Sequence, residues 1–178
     1  YNSILQDYEQ EGIIEKVSEI CEPGTSHYLP HRAVIKENRD TTKVRIVFEA
    51  SSKQQDQPAL NELLHSGPCL LPLLYDILLR FRLGTIAVTA DIKQAFLQIL
   101  VDKKHQNFLR FLWYDDVFDK DPNIIVYRFT RVIFGLISSP FLLNLTLKLH
   151  FTNLLFKELY ESFIIEKLLH DLYVDDLV

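Results

Sequence analysis

The sequence predicts an α+β fold, an antiparallel sheet backed by helices, and three observations carry that prediction. Short β-branched and aromatic runs, Val44–Phe48 above all, have the length and composition of strands. Two leucine-dominated stretches, residues 72–83 and 140–160, are long enough for helices of several turns. Polar residues 38–42 join two strand-like runs directly, which favours antiparallel pairing.

Composition narrows the class. With 178 residues, 48% of them hydrophobic, the chain has the size of one domain and can bury a core; it is not disordered. Its 19 Lys and Arg against 24 Asp and Glu leave a net charge of −5, which argues against a uniformly basic nucleic-acid binder but not against a local basic patch. Cys21 and Cys69 are too few and too scattered for a disulfide framework or a zinc site, which favours a reducing compartment. No apolar run reaches the length of a membrane span, and no secretory signal is visible. The chain lacks Met, starts abruptly and stops just after an acidic pair, which predicts a fragment of something longer.

Taken in order, residues 2–11 predict a short helix with Ile4, Leu5 and Tyr8 on one side, ended by Gly12; an extended segment starts at Ile13 and Ile14. Glu22, Pro23 and Gly24 predict a turn. Residues 33–36 and Val44–Phe48 predict a hairpin, and it is basic: Arg32, Lys36, Arg39, Lys43, Arg45 and Lys53 face only Glu37, Asp40 and Glu49. Such a hairpin is either a solvated edge guarded by lysines or a flap that grips phosphates. Leu60, Leu63 and Leu64 suggest a helical turn inside an irregular connection. Pro72 suits the first position of the helix that follows, and Gly84 its end. Residues 85–90 predict a buried strand that delivers Asp91 at its tip, unless Asp91 is a helix cap.

Residues 108–113 and 125–132 predict two further strands. Between them Asp115, Asp116, Asp119 and Asp121 lack the spacing of a calcium loop and predict a solvated turn. Gly135, Ser138 and Ser139 belong to a loop that leads into the second leucine-rich helix, with Ser139 as its cap ahead of Pro140 and most of its length buried. Finally Leu168, Leu169, Leu172, Tyr173 and Val174 predict a buried strand ending in Asp175 and Asp176. Adjacent strand residues point to opposite faces, so these two converge only if the backbone turns there. Carboxylates beside a core call for a cation, and Asp91 is the third acid that such a cage needs.

This ordered set resembles the fingers and palm of a reverse transcriptase, most closely that of BEL/Pao-type LTR retrotransposons. The matching segments are residues 31–36, 44–51, 60–62, 89–96, 134–136, 138–141 and 173–177, the last of them reading YVDDL. Glu49 departs from the Asp usual in that strand. The resemblance implies a truncated domain over 1–178, with fingers mainly in 1–84 and palm mainly in 85–178, returning to fingers around 105–132, and with the thumb absent. It implies RNA-directed DNA polymerase activity: two-metal nucleotidyl transfer from a dNTP to a primer 3′-hydroxyl on an RNA or DNA template. Asp91, Asp175 and Asp176 would be catalytic and hold two Mg²⁺ ions, with Mn²⁺ as a substitute and the Ile92 carbonyl as an added ligand.

By the same resemblance Lys36, Arg45, Phe96, Phe134 and Gly135 would bind the nucleotide. Arg45 and Lys36 would grip its phosphates, and Phe96 would crowd the sugar 2′ position, although a core aromatic there would look the same. Ser138, Ser139 and Pro140, with Tyr173 and Val174, would meet template and primer. The implied partners are template-primer, dNTP and the rest of a retroelement polyprotein (protease, RNase H, integrase), in the cytoplasm, retroelement particles or the nucleus, with no membrane. Lacking a return strand after Asp176, the fragment alone is expected to have little polymerase activity. Two other readings stay open: a decayed or host-adopted remnant that only binds nucleic acid or protein, and a structural α+β domain whose acids are caps and turns.

Overall fold

The computed structural model describes residues 1–18, 24–35, 44–156 and 161–178. In chain order the elements begin with α1 (Asn2–Gln10), β1 (Ile14–Val17), β2 (His31–Ile35), β3 (Val44–Phe48), α2 (Leu60–Leu63), α3 (Leu74–Phe81) and β4 (Ala90–Asp91). A 3₁₀ turn (Ala95–Gln98) precedes α4 (Lys103–Gln106), β5 (Arg110–Tyr114) and β6 (Ile124–Phe129). The chain closes with α5 (Ser139–Phe156), α6 (Ser162–Asp171), β7 (Leu172–Tyr173) and β8 (Asp176–Leu177). The fold is α+β, with small antiparallel sheets and separate helices. No helix among the described residues is long and apolar enough to cross a membrane.

Two compact units result. The first comprises residues 1–65 and 96–137. Its three-stranded sheet has the order β1-β6-β5, all antiparallel, and β2 and β3 form a separate antiparallel hairpin. Alternation explains the hairpin: His31 and Phe48 lie opposite each other and turn inward, while Arg32 and Arg45 turn out on the other face. Phe48 packs edge-on against Phe111 and Phe129, and these rings, with Leu5, Ile14, Leu29 and Tyr127, form one core. His31 is held between strands, its Nδ1 bonded to the Tyr1 hydroxyl and its Nε2 to the Leu112 carbonyl. The loop from β5 to β6 is a hydrogen-bonded turn as predicted. The Asp115 carboxylate accepts bonds from the Asn123 side chain and from the Asn123 and Asp116 amides, which hold it below the usual carboxylate range.

The second unit comprises residues 66–95 and 138–178 and carries a sheet of order β4-β8-β7. Its strands are two residues long. The buried strand predicted over 85–90 is therefore corrected: only Ala90 and Asp91 pair, both exposed, and Ile86 and Val88 are exposed as well. β8 offers partners to two residues alone, so the remainder of that run has no ladder to join.

The strand expected through Leu168 and Leu169 is instead the end of α6. Ile165, Leu168, Leu169 and Leu172 are the covered apolar positions, and their spacing of three, four and seven is helical, not alternating. α5 also departs from its prediction, since Leu143 is its one fully buried leucine among the described side chains. Its leucines are spread round the helix, and one face at most can meet a neighbour. α5 starts at Ser139, and the Ser138 carbonyl accepts the Leu142 N–H at 3.0 Å, which moves the capping position back by one residue. α3 starts two residues after Pro72 and buries Ile77 alone. An ion pair clips α3 to α6: Arg80 Nε donates to the buried Asp171 carboxylate at 2.9 Å, and Arg80 Nη2 donates to the His170 carbonyl at 2.6 Å.

Of the predicted turn at 22–24, residues 22 and 23 lie outside the described residues; Gly24 takes a positive φ of 84°. Lys36, Arg39 and Lys43 of the basic hairpin also lie outside them.

Candidate active site

In the second unit, β8 runs between β4 and β7, so Asp176 is register partner to Asp91 on one side and Tyr173 on the other. Residues directly opposite in an antiparallel pair share a face, with Cβ atoms about 5 Å apart. Asp91 and Asp176 therefore present like charges on one face of this small sheet. The turn is one residue earlier than the sequence suggests. It consists of Val174 and Asp175, while Asp176 already pairs in β8, which corrects both the assigned turn and the expectation that no return strand is present. Val174 takes a positive φ of 59° to make this turn.

Asp175 is tied to the segment after Asp91 through its backbone, because the Ile92 N–H donates to the Asp175 carbonyl at 2.9 Å. Its carboxyl is pushed above the ordinary carboxylate range. Burial is the largest cause, a hydrogen bond from its own backbone N–H opposes it, and the charges of Asp176 and Asp91 push further upward. Asp175 thus feels the charge of both other acids. Among the described residues no group of three or more His, Cys, Asp or Glu is arranged to hold a metal ion.

Also in this unit, Tyr173 is half-buried in β7, and Ser138, Ser139 and Pro140 open α5 as half-buried, buried and exposed residues. Asn144 Nδ2 donates to the Pro140 carbonyl at 2.8 Å and steadies that first turn.

The first unit carries the other candidate residues. Arg45 is exposed on β3, opposite Val34. Lys36 lies outside the described residues. Phe96 is 3% exposed in the 3₁₀ turn, and its ring meets that of Phe134 edge to face at 4.4 Å; Phe134 itself is 67% exposed. Gly135 has a φ of +94°, and a Cβ there would lie 2.9 Å from the Phe48 carbonyl, so only glycine fits this loop as it is built.

Two features escaped the sequence reading. One is the Arg80–Asp171 clip just ahead of β7, whose only signal is a charge inside a leucine-rich helix. The other is the side chain of Asn61, which bonds to the loop at Gly135 and Ile137 and whose segment is legible only as part of a motif. Compared with known proteins, the chain matches no family model and no curated protein.

Proposed function

We propose that the chain is part of a template-copying nucleotidyltransferase, an RNA-directed DNA polymerase core of the palm-and-fingers kind that its motifs resemble. The observation that carries this reading is the register of the β4-β8-β7 sheet, with Asp176 opposite Asp91 and with the Asp175 carboxyl raised in part by both. Like charges set opposite each other destabilise a sheet, and nothing in folding requires three of them here. Asp91, Asp175 and Asp176 would hold a divalent cation, which would relieve that repulsion, and their hard oxygen donors would suit Mg²⁺ or Mn²⁺. Such a cation, when bound, stabilises the charge that builds on the attacking and leaving oxygens of an in-line phosphoryl displacement.

The chain's own residues supply the rest of this reading. The turn backbone, tied by the Ile92 N–H, sets where the carboxylates stand relative to one another. Arg45, exposed on its hairpin, is free of burial cost and can meet a nucleotide's phosphates. Phe134, exposed beside Gly135, offers a flat apolar surface to a sugar or base. Phe96 underlies Phe134, so its effect on the sugar would pass through that ring.

Isothermal titration with Mn²⁺ tests the reading. Binding is expected in the wild-type chain and a loss of at least about tenfold in Asp91→Asn and in Asp175→Asn. Equal binding by all three chains refutes it. A second reading is a remnant that binds nucleic acid without metal. RNA binding that is indifferent to Mn²⁺ and to both substitutions is its signature.

A further inference from the structure

We propose that Asn61 is a positioning residue for nucleotide recognition, holding the Phe134–Gly135 loop in its binding form; the proposal rests on the reading above. Asn61 lies in α2 and uses its whole amide. Nδ2 donates to the Gly135 carbonyl at 2.8 Å and to the Ser51 hydroxyl at 2.8 Å, and Oδ1 accepts the Ile137 N–H at 2.9 Å. Its backbone N–H donates to the Ala50 carbonyl at 3.0 Å. The amide orientation follows from chemistry, since the reverse would set NH₂ against the Ile137 N–H and oxygen against the Gly135 carbonyl.

One side chain thus fastens both flanks of a surface loop to the chain just after β3. The same loop is pressed onto β3 from another direction, where Gly135 leaves no room for a Cβ beside the Phe48 carbonyl. A ring as exposed as that of Phe134 would ordinarily sample several orientations. Here it is supported by Phe96 beneath and by a backbone bonded on either side of Leu136, just after the ring. A platform ordered before its ligand arrives loses less conformational freedom on binding. Ser51 continues the network as a hydroxyl that receives the second Nδ2 proton.

Two measurements on the full chain test this. Amide hydrogen exchange reads the loop without any ligand: in Asn61→Ala the Ile137 N–H loses its acceptor and is expected to exchange about tenfold faster. Calorimetric titration with dATP and Mg²⁺ reads recognition, and about tenfold weaker binding is expected in the same variant. Circular dichroism checks that the variant is folded.

If Asn61→Ala does not fold, N61D serves. Its carboxylate keeps an acceptor for Ile137 but opposes the Gly135 carbonyl, so dATP affinity is expected to fall at pH 7. Relative to the wild-type chain at the same pH, it should recover as the carboxyl is protonated and donates to that carbonyl. Unchanged exchange at Ile137 overturns the positioning role itself. Faster exchange with unchanged dATP affinity, or an N61D profile parallel to the wild type, overturns its link to binding. Absence of dATP binding in the wild-type chain refutes the nucleotide reading and the proposed role with it, whatever the exchange data show about the loop.

Discussion

The two units reach order by different means. In the first, Phe111 has no exposed surface and meets His31, Phe48, Tyr127 and Phe129, while strands pair over four or five residues. In the second, Ile77, Leu143, Ile165 and Leu172 are buried with no comparable aromatic cluster among the described residues, and each strand contributes two residues. Asp91, Asp175 and Asp176 fall in the second. Short ladders and sparse burial give a segment a low cost of local opening. On the proposed reading, a site that gathers like charges around a cation would suit such a segment better than a close-packed core, where small displacements are costly.

The largest effect is expected from cutting into the first unit. Phe111→Ala removes the most enclosed ring and should cost about 3–5 kcal/mol of stability. Urea unfolding followed by the fluorescence of Trp113, the sole Trp and a residue of this unit, measures it. A loss under about 1 kcal/mol would erase the contrast, because the aromatic core would then not dominate.

An intermediate effect belongs to the second unit. Arg80→Ala leaves the Asp171 carboxylate, only 9% exposed, without its charged partner, and should cost about 1.5–3 kcal/mol. Arg80→Lys should recover part of this, since an ammonium restores charge but not the two-pronged grip on Asp171 and the His170 carbonyl. Thermal melts of both variants rank them.

The smallest effect is a pH dependence. The Asp175 carboxyl is raised in the folded state, so folding favours its protonated form. That contribution is fully present below the ordinary value of 3.8 and is lost as pH rises through the raised folded value. Relative to Asp175→Asn, the wild-type melting temperature should therefore fall between pH 4 and pH 7, and Mg²⁺ should reduce the difference. A wild-type chain that gains on the variant over that interval would reverse the sign and remove the idea of repulsion at this turn.

Much of the first unit was legible from its residue types and spacing. Val44–Phe48 is β-branched and aromatic, and the hydrophobic spacing in α1 is helical, so both elements follow from the residues. The second unit was harder to read. β-branched residues at 85–90 mark a strand only when a partner of equal length exists, and partner length is not a local property. Leu168 and Leu169 look strand-like beside Tyr173 and Val174 until Ile165 is counted with them. The acids at 91, 175 and 176 were legible as a group by their positions at predicted element ends. Which of them turns and which pairs was not, because a two-residue hairpin sets its register through one residue at positive φ, and valine gives no warning of it. The bonds of Asn61 and Arg80 join residues 74 and 91 positions apart, beyond the reach of any periodicity.

That valine has a consequence of its own. A β-branched residue in the left-handed region gives up about 1–2 kcal/mol that glycine or asparagine would keep. The bend between Tyr173 and Asp176 is therefore held at a conformational cost that the pairing on either side of it must offset.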